Sequence, residues 1–121
     1  MRDYKKIKAY QNAEKLALGV YSVTKQFPRE ELYGLVSQLR RAAVSVMANI
    51  AEGASRQHKK DYMNFLFMAH GSVSEVECLL TLSSKLGFLE DETYLKLEDL
   101  RRETAGTLGG LIRAVEKETS L

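Results

Sequence analysis

Residues 33–56 read YGLVSQLRRAAVSVMANIAEGASR, and this stretch decides the fold. Its apolar residues recur three and four positions apart, which is the period of one face of an α-helix. The acidic residues Glu30 and Glu31 just before it suit the positive end of a helix dipole. The stretch predicts a helix at about 31–52 that Gly53 ends, since glycine adopts a positive φ at low cost. Its predicted buried face consists of Leu32, Leu35, Leu39, Ala42, Ala43, Val46 and Ile50.

The same helical period continues on both sides of this stretch. Further helices are predicted at about 7–27, 59–86 and 91–117. The residue before a proline is pushed out of the α-helical region, so Phe27 and Pro28 end the first helix. Gly87, followed by an aromatic residue, ends the third. Short connections make neighbouring helices antiparallel. The sequence therefore predicts an all-α fold, a single up-down-up-down antiparallel four-helix bundle over residues 1–121.

Several glycines fall inside the predicted helices, where each costs about 1 kcal/mol relative to alanine. A helix tolerates this cost where another helix comes close. We therefore expect a close backbone approach at Gly71 in the third helix. We expect the same at Gly106, Gly109 and Gly110, because the absence of side chains there would let another helix pack closely against the fourth.

The composition excludes several classes of protein. Hydrophobic residues make up 45% of the chain and charged residues 28%, which is globular usage rather than disorder. No apolar run approaches the roughly 20 residues of a membrane-spanning helix. Cys78 is the single cysteine, so no intrachain disulfide can form. We therefore expect a cytoplasmic protein with no membrane partner.

Charge is distributed unevenly along the chain. Residues 1–62 contain twelve Lys and Arg against six Asp and Glu, a net charge of +6. Residues 63–121 contain six against ten, a net charge of −4. This asymmetry fits an anionic partner on the N-terminal half, and it fits equally well two hairpins that attract each other within the bundle.

Five basic residues of the second helix, the following loop and the start of the third helix are candidate contacts to RNA phosphates or to a partner protein. They are Arg40, Arg41, Arg56, Lys59 and Lys60. Arg40 and Arg41 point about 100° apart on a helix, so substitutions of the two should have unequal effects. The alternative is that these arginines neutralise carboxylates such as Glu52 and Glu75 inside the assembly.

Asn49, Glu52 and Glu75 are polar residues beside predicted apolar stripes. A di-metal four-helix bundle needs Glu-x-x-His motifs, and this sequence contains none. We therefore expect a buried polar network or a subunit contact here, with no metal and no cofactor. Cys78 has no histidine within two helical turns, and we expect it to be a small, buried or half-buried hydrophobic residue. No catalytic residue is predicted.

The third helix carries more apolar residues than one core needs. Leu66 is flanked in the sequence by Phe65, Phe67 and Met68. On a helix, these four side chains point in most directions around the axis. A helix that is apolar nearly all round is usually buried on more than one side. The sequence therefore predicts self-association.

The run QLRRA (Gln38–Ala42), with ANIAEG (Ala48–Gly53) and the later KLGFL (Lys85–Leu89), resembles the bacterial 23S rRNA intervening-sequence protein family. The resemblance covers about residues 5–118. It implies a homopentamer of four-helix bundles, and a related branch, the accessory proteins of diversity-generating retroelements, binds nucleic acid and a reverse transcriptase. The family pattern usually has proline where Met47 stands, which should remove a kink from the second helix.

Together, the residues and the resemblance lead to one functional hypothesis and one alternative. The hypothesis is a non-enzymatic oligomer, with a pentamer favoured, that binds RNA or a partner protein through a basic face. The alternative is a purely structural self-assembling module with no nucleic-acid role.

Overall fold

The computed structural model describes residues 2–119 and contains four long helices. They are α1 (Lys8–Thr24), α2 (Leu35–Ala54), α3 (Lys59–Lys85) and α4 (Asp91–Glu116). Two single 3-10 turns, Tyr4–Lys6 and Arg29–Glu31, precede α1 and α2. Residues 2–119 form no strand. The predicted all-α fold is confirmed.

Contacts between helix ends establish the up-down-up-down order. Arg40, near the start of α2, donates to Thr24 at the end of α1. Lys59, at the start of α3, donates to the carbonyl of Glu116 at the end of α4. The α1–α2, α2–α3, α3–α4 and α1–α4 pairs all pack side by side. Each helix therefore packs against two neighbours, and the four helices enclose one core.

The core consists of the inward stripes of the four helices. Leu16, Leu39, Leu66, Leu80 and Leu108 are fully buried, and every helix contributes at least one of them. Burying one such side chain contributes roughly 1.5–3 kcal/mol. The hydrophobic periodicity therefore identified most of the core faces, but Leu32, predicted on the buried face of the second helix, is 44% exposed because it precedes α2.

The predicted start of the second helix is wrong by about one turn. Residues 29–31 form a 3-10 turn, and Gly34 is the N-cap of α2. The Glu31 carboxylate accepts a hydrogen bond from the Leu35 backbone N–H. This carboxylate therefore caps α2 from just before the helix, where a negative charge suits the positive end of the helix dipole.

The predictions for the glycines within helices are also corrected. Gly53 lies inside α2, and a Cβ there would come within 2.8 Å of Phe65 and 2.9 Å of Tyr62. A Cβ at Gly71 or Gly106 would meet nothing within 4 Å. At Gly109 and Gly110 a Cβ would meet only the Arg113 side chain of the same helix. A close approach occurs instead at Gly53, because α3 crosses α2 there, and at Gly19 of α1, where a Cβ would come within 2.9 Å of the Leu97 side chain.

Gly87 ends α3 as predicted, at φ +81°. Its N–H donates to the Ser84 carbonyl, and the Phe88 N–H donates to the Ser83 carbonyl. These are the two hydrogen bonds of a Schellman ending.

Candidate interaction surfaces

A polar stripe runs along the outside of the α2–α3 seam. The Ser72 hydroxyl donates to the Ser45 hydroxyl at 2.8 Å, and the Asn49 amide donates to the same hydroxyl at 2.9 Å. The Asn49 amide also donates to the Ser45 carbonyl. All three side chains are partly buried. Of the three residues predicted for a polar network or subunit contact, Asn49 alone joins this hydrogen-bonded group, which links α2 to α3 through the hydroxyl groups of Ser45 and Ser72.

The predicted acidic residues occupy separate positions along this stripe. Glu75 is exposed and lines an open cleft of about 360 Å³ together with Arg41 and Ser45. Glu52 is exposed one turn before Arg56 and pairs with it at 3.3 Å. Neither carboxylate joins the partly buried hydrogen-bonded group, so the predicted network of Asn49, Glu52 and Glu75 does not form within the chain, and the stripe is a surface of mixed charge.

Arg40 lies on the opposite side of α2, against α1. Its Nε donates to the Thr24 hydroxyl at 2.9 Å, and its guanidinium lies 4.6 Å from the centre of the Tyr21 ring. Arg41 is exposed on the outer surface. The structure thus separates these two adjacent arginines into different environments.

We expect Arg40→Ala to lower the free energy of unfolding by about 1–2 kcal/mol, because it removes a hydrogen bond and a cation–π contact. Arg41→Ala should change it by no more than about 0.5 kcal/mol, as is usual for an exposed side chain. Urea unfolding of both variants at one protein concentration measures the difference. Equal unfolding midpoints would contradict this assignment.

The remaining predicted basic residues lie at one end of the bundle. Arg56 stacks over the Phe65 ring at 4.8 Å. The Lys59 ammonium group donates to the carbonyls of Glu116 and Glu118, and Lys60 is exposed. The five predicted cations therefore occupy three places: the α1 seam, the outer face of α2 and this end.

The N-terminal segment adds cations to this end that are absent from the predicted set. The Arg2 guanidinium donates to the Arg56 carbonyl at 3.1 Å and lies 4.2 Å from the centre of the Tyr62 ring. It also pairs with Glu118 at 3.4 Å. Lys5 and Lys6 follow on the adjoining 3-10 turn, and both are exposed. We call Arg2, Lys5, Lys6, Arg56, Lys59 and Lys60 the basic end.

Tyr62 lies beneath Arg2 and is 1% exposed. Within residues 2–119 its hydroxyl has no hydrogen-bond partner. Burial raises the pKa of this phenol, and the charge of Arg2 opposes the rise. The phenol therefore stays protonated in the folded bundle at neutral pH.

An apolar groove separates the outer sides of α1 and α2. Its volume is about 510 Å³, and Leu18 on its wall is 65% exposed. Tyr21 and Val44 on the walls are also exposed. We call this surface the apolar groove; it is lined by Glu14, Ala17, Leu18, Tyr21, Val44 and Met47.

A second apolar surface follows the outer side of α3. Helical geometry places Phe67, Met68, Gly71, Cys78, Leu82 and Leu86 on this side, with the carboxylate of Glu75 between Gly71 and Cys78, and all seven residues are exposed. We call this stripe the apolar ridge. The expectation of a buried or half-buried Cys78 is wrong, because the residue faces outward from α3.

Among the residues that the structure describes, α3 is the one helix long and apolar enough by composition to cross a membrane. One third of its most apolar window is buried in the bundle. The hydropathy of α3 therefore comes partly from core residues and partly from the exposed ridge.

A buried ion pair in α4 was missed entirely. Glu98 and Arg101 are 5% and 8% exposed, and Arg101 Nε donates to Glu98 Oε2 at 2.9 Å. Glu77 of α3 also pairs with Arg101, at 3.2 Å. The hydrogen bond that Arg101 donates to the Glu98 carboxylate raises the pKa of Arg101 above its ordinary value. The only signal in the sequence was an acid and a base three residues apart, between Leu97 and the later apolar positions of α4.

No group of three or more metal-ligating side chains occurs in residues 2–119. His58 precedes α3 as its N-cap residue, and His70 is exposed on that helix.

Two comparisons with known proteins yield matches. The sequence profile of the 23S rRNA-intervening sequence protein family matches residues 5–110. A solved structure of a protein with unknown function from the S23 ribosomal protein family, from Bacteroides thetaiotaomicron VPI-5482, superposes with a TM-score of 0.80. The two sequences are 23% identical, and the match covers 86% of this chain and 97% of that one. None of the curated proteins matches the sequence.

Proposed function

The chain belongs to the 23S rRNA-intervening sequence protein family, and we propose that it acts as a non-enzymatic scaffold that self-associates. The observation that carries this proposal is the apolar surface exposed on the groove and the ridge. Soluble monomers rarely expose contiguous apolar patches larger than a few hundred Å². Covering such surface with a further copy gains roughly 25 cal/mol per Å².

The number of copies in this proposal comes from the family resemblance, which favours a pentamer. The exposed surfaces favour association without setting a number. A closed ring would repeat the basic end around one rim, so that weak contacts to one long ligand would act together.

The polar stripe supports a role in binding rather than in catalysis. Its hydrogen bonds join Ser45, Asn49 and Ser72 to one another across two helices. An activated nucleophile needs a base within hydrogen-bonding distance. Within residues 2–119, no histidine or cysteine joins this network.

Self-association through the groove predicts a matched difference between two variants. Leu18→Lys combined with Val44→Lys should lower the oligomer mass measured by sedimentation, because it places two charges in the groove. Leu95→Lys alters an exposed leucine of α4 that lies outside both apolar surfaces, and it should leave the mass unchanged. Identical oligomer masses for the two variants would show that the groove is not part of the interface.

We further propose that the scaffold binds the phosphate backbone of an RNA at the basic end. The supporting observation is the hydrogen bond from Arg2 to the Arg56 carbonyl, which brings the N-terminal cations beside those of the α2–α3 turn. Lysine and arginine neutralise phosphates without regard to sequence. Repetition around a ring would strengthen these single contacts.

RNA binding should weaken as salt rises, and Lys60→Ala should reduce the slope of log affinity against log salt by about 0.7. Lys96→Ala is the matched control, because Lys96 lies in the first turns of α4, at the opposite end of the bundle. Fluorescence anisotropy with a single-stranded RNA oligonucleotide measures both. Absence of salt-dependent binding would favour the alternative, a purely structural module. A pull-down from a native lysate that recovers a protein and no RNA would favour a protein partner.

A further inference from the structure

A cleft opens on the outer face of α2 beside the basic end. Its volume is about 670 Å³, within the range of roughly 300–1,000 Å³ that is typical of small-ligand sites. Ala48, Ala51 and Ser55 recur three and four positions apart, so these small side chains share one face of α2 and form the floor. We call this surface the aromatic cleft, after the rings of Tyr4 and Phe65 on its walls.

The two walls of the aromatic cleft come from different parts of the chain. Tyr4 belongs to the 3-10 turn before α1, and Phe65 belongs to α3. Since α1 and α3 are the two neighbours of α2, the rings approach the α2 face from opposite sides. Tyr10 packs edge-on against Tyr4 with the ring centres 4.7 Å apart, which restrains that wall. Every nucleobase has a flat π-face that stacks on such rings.

Cations of the basic end lie beside both walls. The Lys5 ammonium group is 6.0 Å from the centre of the Tyr4 ring, and the Arg56 guanidinium is 4.8 Å from the centre of the Phe65 ring. A single strand whose phosphates lie on these cations has its bases within reach of the cleft. The charge around the cleft is therefore complementary to a nucleic acid.

The open polar atoms inside the cleft are hydrogen-bond acceptors. The Asn49 amide nitrogen donates to both the hydroxyl and the carbonyl of Ser45, which leaves the amide oxygen as its open atom. One Glu52 oxygen accepts a hydrogen bond from Arg56, and the other has no donor within residues 2–119. A carboxylate repels phosphate and accepts from N–H groups. The edge of a base, rather than the backbone, therefore fits against Glu52.

Guanine matches this set of acceptors better than the other bases. Its Watson–Crick edge, which proteins read in single strands, carries two adjacent donors, the N1–H and the 2-amino group. A carboxylate can accept both, whereas adenine and cytosine offer one amino group there and uracil one N–H. We propose that the aromatic cleft binds an unpaired guanine of a single-stranded RNA, stacked on Tyr4 with its Watson–Crick edge on Glu52. This inference rests on the proposed RNA binding and identifies the base that the site recognises.

A set of RNA oligonucleotides tests the inference on the wild-type protein. Each is a run of uridines with one central nucleotide, which is guanosine, inosine, adenosine or uridine, and fluorescence anisotropy measures its affinity. The guanosine oligonucleotide should bind about tenfold more tightly than the adenosine and uridine ones, because it adds hydrogen bonds to a charged group. Inosine lacks the 2-amino group, so its affinity should fall between them.

Substitution of the stacking ring assigns the effect to the cleft. Tyr4→Leu should weaken binding of the guanosine oligonucleotide about fivefold or more, because the base loses its stacking partner. Tyr33→Leu is the matched control, since Tyr33 is 93% exposed and precedes α2 at the opposite end of that helix. This control should leave the affinity unchanged.

Substitution of the carboxylate tests the choice of base. Glu52→Gln replaces one acceptor oxygen with an amide nitrogen, so the preference for guanosine over adenosine should disappear. Glu75→Gln alters an exposed carboxylate of α3 that lies outside the cleft, and it should keep the preference. A preference that persists in Glu52→Gln would overturn the assignment of the base edge to Glu52.

The results also distinguish this inference from the RNA binding on which it rests. Salt-dependent binding of equal strength to all four oligonucleotides would overturn the guanine site and leave the basic end intact. Guanosine monophosphate bound as tightly as the guanosine oligonucleotide would overturn it in favour of a free nucleotide. A lower oligomer mass for Tyr4→Leu would overturn it in favour of a further copy covering the cleft. Binding of no oligonucleotide would overturn both proposals.

Discussion

Replacing Glu98 with alanine should lower the free energy of unfolding by about 3 kcal/mol, because it leaves the Arg101 guanidinium buried beside one remaining carboxylate. Arg101 Nε donates to both Glu98 oxygens, at 2.9 and 3.1 Å. The remaining carboxylate, Glu77, is half exposed and contacts Arg101 at 3.2 Å. Its presence holds the expected loss near the lower end of the range for broken buried ion pairs.

The control for Glu98→Ala is Asp99→Ala, which removes an exposed carboxylate next to it on the same helix. This control should change the free energy of unfolding by less than about 0.5 kcal/mol. Urea unfolding at a fixed protein concentration compares the two variants. The double variant Glu98→Leu with Arg101→Met replaces both charged groups with apolar side chains, and it should recover most of the loss. Similar midpoints for Glu98→Ala and Asp99→Ala would show that the ion pair does not stabilise the bundle.

The second large effect is expected at Gly53, where alanine should destabilise the bundle by about 2–3 kcal/mol. The added Cβ would lie 2.8 Å from the Cβ of Phe65 and 2.9 Å from a ring carbon of Tyr62. Tyr62 is fully buried, so the α2–α3 crossing itself has to widen. This loss exceeds the gain of up to about 1 kcal/mol in helix propensity.

Gly106→Ala gives the opposite sign and serves as the control. A Cβ at Gly106 would meet nothing within 4 Å, so only the gain in helix propensity remains, up to about 1 kcal/mol. Thermal unfolding of both variants should therefore shift in opposite directions from wild type. A shift to higher temperature for Gly53→Ala would contradict the close packing of α2 on α3.

The sequence was sufficient for the number of helices and for most of their inward faces, because burial of one face gives the apolar residues a helical period. The stripe through Leu39, Val46 and Ile50 is buried as predicted. It was insufficient for the glycines, because periodicity does not say where two helices cross. Gly53 lies at such a crossing, and Gly71 lies on an exposed side.

Contacts between distant parts of the chain could not be read from local patterns. Arg2 and Arg56 lie 54 positions apart, and a hydrogen bond brings them together at the basic end. Glu98 and Arg101 are close in sequence, but a charged pair three residues apart on a helix is normally a solvated surface pair. Its burial depends on the packing of α3 against α4, which one helix alone does not reveal.

The central claim is that several copies of this bundle associate through their exposed apolar surfaces. Multi-angle light scattering of the purified wild-type chain, at micromolar concentration in moderate salt, tests it most directly. We predict a mass that is a multiple of the 13.7 kDa chain mass, with five copies favoured by the family resemblance. A stable dimer or tetramer would contradict only the number five, and a mass of one chain would contradict self-association itself.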